Sequence, residues 1–518
     1  MNYELIKKRI NKSNEQRATS HLTTRGANNL SAIRHTSYAK RGVVLSGVLV
    51  FGLISVALII ALTSWFGVTL KSSRELVAKE QAFHISEAGI EYYRWHLAHS
   101  PEDFQDGTGA PGPYVHDVED KDGNVIGQFS LDIIAPTDGT TIVTVESTGT
   151  VNINPDVSRT IRAQLAKPSF AKYAFVANAD MRFGEGTEVF GPIHSNGGVR
   201  FDGLAHNLIS SAKETYDDPD HSGPQEFGVH THLSPIDPYP PADVPDRFDV
   251  FESGRQFPLP AVDFAGLTND VAGLKDLAQE PEGLYFSESG RSGYRIVLKE
   301  NDTFDLYQVR RLENAPDSSC SASSDDDWGT WSIRRDRFLD NYDFPSNGII
   351  FLEDDVWVEG KIDTARLTIV AGTFPDIPQN RKNIIVNTDL EYTNYDGQDV
   401  IALIAQNDIN IGLYSDDNFQ IDAALIAQNG RVGRHYYRPP YQVWWWTVPG
   451  CSPYHERDTV SLYGMIGTNQ RYGFAYTDGT GYETRNITYD GNLLYGPPPE
   501  FPLTSDQYEP ISWEEVVN

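Results

Sequence analysis

The stretch Ala402-Leu-Ile-Ala-Gln-Asn407 recurs as Ala424-Leu-Ile-Ala-Gln-Asn429, 22 residues further along the chain. Weaker copies are Pro192-Ile-His-Ser-Asn196 and Met465-Ile-Gly-Thr-Asn469. A short apolar strand that ends in Asn and recurs roughly every 20 residues is typical of the rung of a parallel β-solenoid. Asn tolerates the left-handed backbone of a sharp corner between rung faces. The repeat therefore predicts a β-solenoid with Asn407 and Asn429 at the same corner of adjacent rungs.

The rest of the chain is divided around this repeat. The solenoid is predicted over residues 181–205 and 346–495, interrupted by an insertion with loops at 206–345 and an aromatic loop insertion at 434–458. Residues 101–180 contain runs of alternating apolar and polar residues between turn signals, which predicts a small pilin-like β head. Residues 496–518 are predicted as a C-terminal tail. The predicted fold class is mainly β, with a long N-terminal α-helix.

That helix has two parts. Residues 43–70 form a 28-residue run without a charged side chain, which is long enough to span a bilayer. Residues 71–100 repeat apolar side chains every three or four positions, as an amphipathic helix does.

Charge predicts the topology. Residues 1–42 carry nine Lys/Arg and two Asp/Glu, whereas the remainder carries 33 basic and 70 acidic residues. Basic residues beside a membrane helix stay in the cytoplasm. We therefore expect a single-pass membrane protein with a cytoplasmic basic leader and a body outside the cell or on its surface. The acidity of that body argues against nucleic acid as a partner.

Two N-terminal stretches resemble the start of PilX-type minor pilins of type IV pili: Lys40-Arg41-Gly42 directly before the apolar run, and Ala82-Phe-His-Ile-Ser-Glu-Ala-Gly-Ile-Glu91 after it. The resemblance implies that a prepilin peptidase cuts between Gly42 and Val43 and that residues 71–100 form a pilin stem. It also implies the membrane, other pilin subunits and their assembly machinery as partners. Pilins usually have a glutamate at the fifth mature position, where this chain has Gly47. Minor pilins at a filament tip can lack that glutamate, and an uncleaved signal anchor would also lack it.

The body resembles an uncharacterised domain found behind such stems, a similarity that names no activity. The chain has two cysteines, Cys320 and Cys451, each in a loop-like stretch of the predicted exterior. In an oxidising compartment they are expected to form one disulfide bond. The alternative is two unpaired thiols.

The aromatic loop insertion is the most distinctive candidate surface. Its aromatic residues include the predicted contact residues Tyr436, Tyr437, Tyr441, Trp444, Trp445 and Trp446. Exposed aromatic rings stack on sugars or anchor protein interfaces, whereas the alternative is that these rings only cover a flank of the solenoid. Consecutive side chains on an extended segment point to opposite faces. One or two tryptophans should therefore pack inward, and the remainder should face a surface carbohydrate or protein ligand.

Evidence for catalysis is thin. The sequence has no nucleophile elbow, phosphate loop or HExxH motif. Residue types that bind metals cluster between positions 217 and 232, but Pro and Gly and the irregular spacing favour a polar loop: Asp217, Asp218, Asp220, His221, His230 and His232. Glu353-Asp354-Asp355 and Asp416-Asp417 would suit acid–base chemistry on a polysaccharide only if they faced each other, and they are interpreted as solvated rung corners.

These observations favour a non-enzymatic minor pilin-like subunit without a metal or cofactor. The alternatives are a signal-anchored surface adhesin or carbohydrate-binding module, and a β-solenoid polysaccharide lyase or hydrolase. Cleavage after Gly42 would separate the first interpretation from the second, and carboxylates clustered in a groove would favour the third.

Overall fold

The computed structural model describes residues 41–136, 141–264, 267–321, 328–494, 496–503, 505 and 507–516. Apart from its last two residues, the predicted leader lies outside the described residues. The predicted fold class is confirmed, because the chain is mainly β, with one long N-terminal helix followed by sheets that include parallel strands. The chain divides after Arg74 into two compact units.

Helix α1 spans Arg41–His99 and begins in the first unit. Its side chains from position 45 to position 70 are almost all exposed, and most are apolar. Within this apolar part, Thr63 Oγ1 donates to Ile59 O at 2.8 Å and Thr69 Oγ1 donates to Trp65 O at 2.9 Å. Such internal bonds satisfy hydroxyl groups where no water is present. Among the described residues, α1 is the helix that is long and apolar enough to cross a membrane.

In the second unit, α1 packs one face on an antiparallel sheet. The buried positions of this face follow the helical period: Ala78, Ala82, Ile85, Ile90, Tyr93 and Leu97. The first four strands of the sheet lie side by side in chain order: β1 (Tyr114–Glu119), β2 (Val125–Ile134), β3 (Val143–Val151) and β4 (Asn154–Ala166). A Cβ atom on Gly149 would lie 2.1 Å from Ala82 O, so glycine is required for this close approach of strand to helix.

The predicted C-terminal tail contains the fifth strand of this sheet, Glu509–Val516, which pairs antiparallel with β4. Arg159 Nε lies 2.7 Å from Glu515 Oε1, and Arg162 Nη1 lies 3.1 Å from Glu514 Oε1. The prediction of a tail is therefore corrected for these residues. The strand was not predicted because its side chains include several acidic residues, which are uncommon in strands. In the fold these acidic side chains pair with arginines of β4, and the strand covers the open edge of β4.

The body is a solenoid with three stacks of short parallel strands. The first stack contains Phe175–Ala177, Ile193–Ser195, Ile209–Ser211, Arg255–Gln256, Leu284–Phe286, Ile349–Leu352, Arg366–Ala371, Val400–Ala405 and the second halves of Asn418–Ala427 and Glu456–Thr468. The second stack contains Met181–Phe183, Val199–Phe201, Val229–His230, Gly293–Lys299, the first half of Val356–Ile362, Ile384–Ile385, Ile409–Ile411 and Val432–Arg434. The third stack contains Glu188–Val189, Leu204–Ala205, Leu390–Tyr392, Gly481–Tyr489, the end of Val356–Ile362 and the first halves of the two long strands.

Further strands and short helices lie outside these three stacks. Strands Thr303–Leu312 and Ile333–Asp343 extend Gly293–Lys299 as an antiparallel sheet. Two small antiparallel pairs are Thr215–Tyr216 with Glu226–Phe227, and Tyr441–Val443 with Trp446–Val448. Helix α2 spans Leu267–Ala278, and the 3-10 helices are Phe170–Lys172, Pro378–Asn380 and Gly491–Leu494.

The repeat that predicted the solenoid is in register. Ala402 pairs with Ala424 and Ala405 pairs with Ala427, so Asn407 and Asn429 follow the same position on adjacent rungs. The asparagine of the weaker copy at Asn469 donates to Asn429 O at 3.1 Å and accepts from Asn178 Nδ2 at 2.7 Å. Asn178 in turn accepts from Asn196 Nδ2 at 2.8 Å. A line of amide groups therefore runs along this corner.

The order of the rungs in space differs from their order in the chain. Phe175–Ala177 pairs with residues 466–468 on one side and with Ile193–Ser195 on the other. The solenoid therefore begins at Phe175 rather than at position 181. We call the rungs from Leu284–Phe286 to Glu456–Thr468 the main block, and the first rungs of the chain stack on its last rung. The predicted insertion 206–345 also contributes strands to the stacks, which is a second correction. Strands of two or three residues between Pro and Asp show no periodicity that a sequence pattern can detect.

Candidate functional site

The predicted processing site lies at the beginning of α1. Gly42 and Val43 are within the helix Arg41–His99, but their side chains are outside the described residues. Cleavage at this position stays a prediction from the sequence.

Cys320 and Cys451 are joined by a disulfide bond, with 4.4 Å between their Cα atoms. Both are buried in a small apolar cluster with Leu413 and Tyr437. The bond connects the loop at position 320 to the aromatic loop insertion, just after its hairpin. The base of that hairpin is therefore fixed covalently to the body.

The hairpin itself presents the three tryptophans to solvent. Its strands are Tyr441–Val443 and Trp446–Val448, so Trp444 and Trp445 form the turn between them. Trp444, Trp445 and Trp446 are 85%, 74% and 68% exposed. The expectation that one or two would pack inward is wrong, because the segment forms the tip of a hairpin rather than a cover along the solenoid.

The turn holds Trp444 in an unfavourable backbone conformation, with a φ of 57°. The indole planes of Trp444 and Trp445 make an angle of 83°, with their centroids 5.7 Å apart. Those of Trp445 and Trp446 make an angle of 44° at 6.5 Å. The tip is therefore a compact cluster of three aromatic rings that face different directions, and each ring offers one apolar surface to a ligand.

The predicted tyrosines separate into different environments. Tyr437 is buried, its hydroxyl donates to Gly329 O at 2.8 Å, and the guanidinium of Arg434 lies 4.8 Å from its ring centroid. It is therefore removed from the predicted contact surface. Tyr436 donates to Asp478 Oδ2 at 2.7 Å, and this bond to a carboxylate raises the pKa of Tyr436 to about 12.

Tyr441 lies at the start of the hairpin, with the guanidinium of Arg438 5.3 Å from its ring centroid. It is half-buried, and Val443 beside the turn is exposed. The contact surface that remains consists of Trp444, Trp445 and Trp446, with Tyr441 and Val443 at its margin. We call it the tryptophan tip.

A groove of about 710 Å³ lies beside the aromatic loop insertion. Its lining includes four carboxylates, two arginines and three tyrosines: Asp417, Glu456, Asp458, Glu483, Arg457, Arg485, Tyr454, Tyr476 and Tyr482. All four carboxylates are exposed, and Asp417 Oδ1 lies 2.7 Å from Arg457 Nη1. The acid of a glycosidase is typically a carboxyl group in an apolar pocket, which none of these four provides.

The acidic triplet at 353–355 has structural partners instead. Glu353 lies 2.5 Å from Lys275 Nζ and accepts from Tyr285 Oη at 2.7 Å. Asp354 is buried and accepts from the backbone N–H of Ser289 at 2.9 Å. Asp355 accepts from Asn383 N at 2.8 Å. The prediction of solvated corners is therefore corrected for Asp354, which is buried, and for Glu353 and Asp355, which are half-buried. None of these partners belongs to the Asp416–Asp417 pair.

The segment predicted as a polar loop, 217–232, folds into a cluster of imidazole and carboxylate groups. Two sets of three ligand atoms each lie within 4.8 Å of one another: Asp218, His230 and His232 form one set, and His221, Glu226 and His232 form the other. Glu226 is not among the candidate ligands predicted from the sequence. Its spacing from His230 and His232 does not by itself predict that these side chains meet. They meet because the short strand Glu226–Phe227 pairs antiparallel with Thr215–Tyr216.

Comparisons with known proteins give little. No protein-family model matches the chain, and a search of curated proteins gives no match. Solved structures that match include the competence-associated pilin ComZ from Thermus thermophilus, at 14% sequence identity and a TM-score of 0.31, over 85% of this chain and 97% of that chain. A TM-score of this size does not establish a common fold.

Proposed function

We propose that this chain is a non-enzymatic, pilin-like subunit, anchored in the membrane by the apolar part of α1, with its head and solenoid outside the cell. The observation that carries the proposal is the helix Arg41–His99, whose first part is apolar and exposed and whose second part packs on an antiparallel sheet. A membrane segment continued by a stem on a small β head is what the resemblance of residues 82–91 to minor pilins implies.

Charge supports the proposed orientation. The basic leader before the apolar part keeps the N-terminus in the cytoplasm, and the acidic remainder suits a solvated exterior. The disulfide bond between Cys320 and Cys451 also suits an oxidising exterior. The partners in this proposal are other pilin subunits and the assembly machinery, which α1 would contact in the membrane.

The tryptophan tip supports a binding role for the exposed body. Three indoles at the end of a hairpin, with the base of that hairpin fixed by a disulfide bond, form a protruding surface that buries apolar area only when a ligand covers it. We propose a surface carbohydrate or protein as that ligand. This role also fits the alternative of a signal-anchored adhesin, so the fate of the leader decides between the two.

The experiment is to determine the mature N-terminus of the full chain expressed in cells with and without a prepilin peptidase. The subunit hypothesis expects Val43 as the first residue only when the peptidase is present. Gly42→Leu should abolish the cut, whereas Gly47→Ala, five positions into the same apolar run, should leave it unchanged. An intact leader in peptidase-positive cells would contradict the pilin-like subunit and favour the anchored adhesin.

A further inference from the structure

Five side chains outside the tryptophan tip converge at the end of the segment 217–232. The distance from His230 Nε2 to Asp218 Oδ2 is 3.6 Å, that from His232 Nε2 to Glu226 Oε1 is 3.2 Å, and that from His221 Nδ1 to Glu226 Oε1 is 3.6 Å. Metal–ligand distances of ~2.0–2.1 Å in a tetrahedral site place two ligands about 3.4 Å apart. Each pair therefore has about the separation of two atoms that bind the same small cation.

Four of the donor atoms are buried and lack hydrogen-bond partners: Asp218 Oδ2, His221 Nδ1, Glu226 Oε2 and His230 Nε2. Glu226 and His230 are 1% and 0% exposed, so water does not satisfy these groups. A buried polar group without a partner costs about 1–3 kcal/mol. Two of these atoms, His221 Nδ1 and Glu226 Oε2, belong to residues of one ligand set and indicate a common ligand.

Tyr216 fixes the orientation of His230, which belongs to the neighbouring set of ligands. Tyr216 Oη lies 3.4 Å from His230 Nδ1, which leaves the other ring nitrogen of His230 directed at Asp218. Such contacts to the second nitrogen fix the orientation of histidines that bind metals.

Arginines near the cluster offset part of the negative charge of its carboxylates but do not occupy the space between the ligand atoms. Arg200 Nη1 lies 3.5 Å from Asp218 Oδ2, but Arg200 Nε is engaged by Asp202 at 2.7 Å. Asp220 lies beside the cluster and is paired with Arg471 at 2.5 Å. His221 is 31% exposed at its side chain and opens the site to solvent. An ion therefore has a path to the buried donors.

We propose that His221, Glu226 and His232 bind one divalent transition-metal ion of the zinc class, with Asp218 and His230 beside them. Imidazole nitrogens with carboxylate oxygens select zinc-like ions, whereas magnesium and calcium prefer sites built of oxygen alone. One ion per chain is expected because His232 belongs to both sets of ligands.

The bound ion would fasten the segment to the solenoid. Val229–His230 pairs with Val199 and Arg200 in the second stack, whereas Glu226 lies in the small antiparallel pair with Thr215–Tyr216. An ion held by Glu226 and by His232, two residues after Val229–His230, would cross-link these elements. A ligand that binds only the folded state raises the stability of that state.

The test uses the full chain in detergent, stripped of metal with a chelator and titrated with ZnCl₂ in a calorimeter. We expect one Zn²⁺ per chain, no comparable binding of MgCl₂, and a rise in melting temperature with Zn²⁺. His232→Ala should weaken zinc binding at least ~10-fold, as removal of a ligand does. His206→Ala is the matched control, because His206 contacts Glu252 at 2.8 Å but belongs to neither set of ligands.

If His232→Ala fails to fold, His221→Ala gives the same comparison at a partly exposed position. Loss of zinc binding in that variant, with the melting temperature of the metal-free protein unchanged, supports the site. Absence of zinc binding by the wild-type chain, or equal binding by the His232, His221 and His206 variants, would overturn the proposal.

Discussion

The guanidinium of Arg434 is fully buried beside the base of the aromatic hairpin. It donates to Tyr454 O at 2.7 Å, to Leu413 O at 3.1 Å and to Ser415 Oγ at 2.9 Å, and it also contacts Gly412 O. A planar group with five donors suits such a ring of oxygens better than an ammonium group does. One side chain therefore connects the corner of a solenoid rung to the segment that carries the tryptophan tip.

Asp355 gives a prediction about pH at the same scale. Burial raises the pKa of its carboxyl to about 6, although two hydrogen bonds from Asn383 oppose the rise. The folded chain then keeps a proton that the unfolded chain has lost, so the free energy of unfolding falls as pH rises between the ordinary and the raised pKa. The loss is at most roughly 3 kcal/mol.

We expect Asp355→Asn to remove this loss, because the amide oxygen still accepts from Asn383 and carries no charge. Denaturant unfolding of the variant and the wild-type chain at about pH 4 and about pH 7 measures the effect, and the variant should gain relative stability at the higher pH. Asp416→Asn, at an exposed carboxylate, is the control. An Asp355→Asn difference that is equal at both pH values would show that the carboxyl titrates normally.

At the scale of elements, substitutions in the tryptophan tip should weaken ligand binding without changing the stability of the fold. Because Trp444, Trp445 and Trp446 are all exposed, replacing the three with Ala should change the free energy of unfolding by no more than about 0.5 kcal/mol per site. The same variant should lose binding to the surface ligand. Retention on insoluble polysaccharides and on cells of the producing strain measures binding, and thermal unfolding measures stability.

Phe248→Ala is the matched control, because this aromatic is 65% exposed elsewhere on the body. It should bind as the wild-type chain does. If the triple tryptophan variant also binds normally, the tip is not the contact surface. A large loss of stability in the triple variant would instead restore the interpretation that the rings cover the solenoid.

Some elements were predictable from sequence and others were not, for reasons of length and turn chemistry. Val400–Ala405 is six apolar residues followed by Gln406 and Asn407, a strong signal. Val229–His230 and Glu226–Phe227 have two residues each, so no alternation exists to detect, and the convergence of His230 with Glu226 depends on their folding. The hairpin was not predicted because its turn is Trp444-Trp445, whereas two-residue hairpin turns usually contain Asn-Gly or Asp-Gly.

At the scale of the whole molecule, the solenoid is assembled from two parts of the chain in reversed order. The main block runs from Leu284–Phe286 to Glu456–Thr468, and the rungs from Phe175–Ala177 to Arg255–Gln256 continue it beyond its last rung. The repeat in the sequence predicted the rungs but not this order. The pairing of Phe175 with Ile466 joins residues that are almost three hundred positions apart in the chain. Contacts of such sequence separation form late and slowly in folding.

The junction between the two parts gives the last prediction. Asn469 accepts from Asn178 Nδ2 at 2.7 Å and donates to Asn429 O at 3.1 Å, so it bonds to rungs on both sides of the junction. Asn469→Ala removes both bonds, at a cost of about 1 kcal/mol each. Asn407→Ala is the matched variant, because Asn407 donates to Asn383 Oδ1 at 2.9 Å entirely within the main block.

Hydrogen exchange should distinguish the two variants. In Asn469→Ala we expect faster exchange in Phe175–Ala177 and Ile193–Ser195, because the terminal rungs contact the main block through the weakened junction. Exchange in Val400–Ala405 should stay slow. Asn407→Ala should give the opposite pattern, since local opening follows the weakest contacts in a stack of rungs. Equal acceleration throughout both variants would mean that the reversed rungs and the main block unfold as one cooperative unit, despite their separation in the chain.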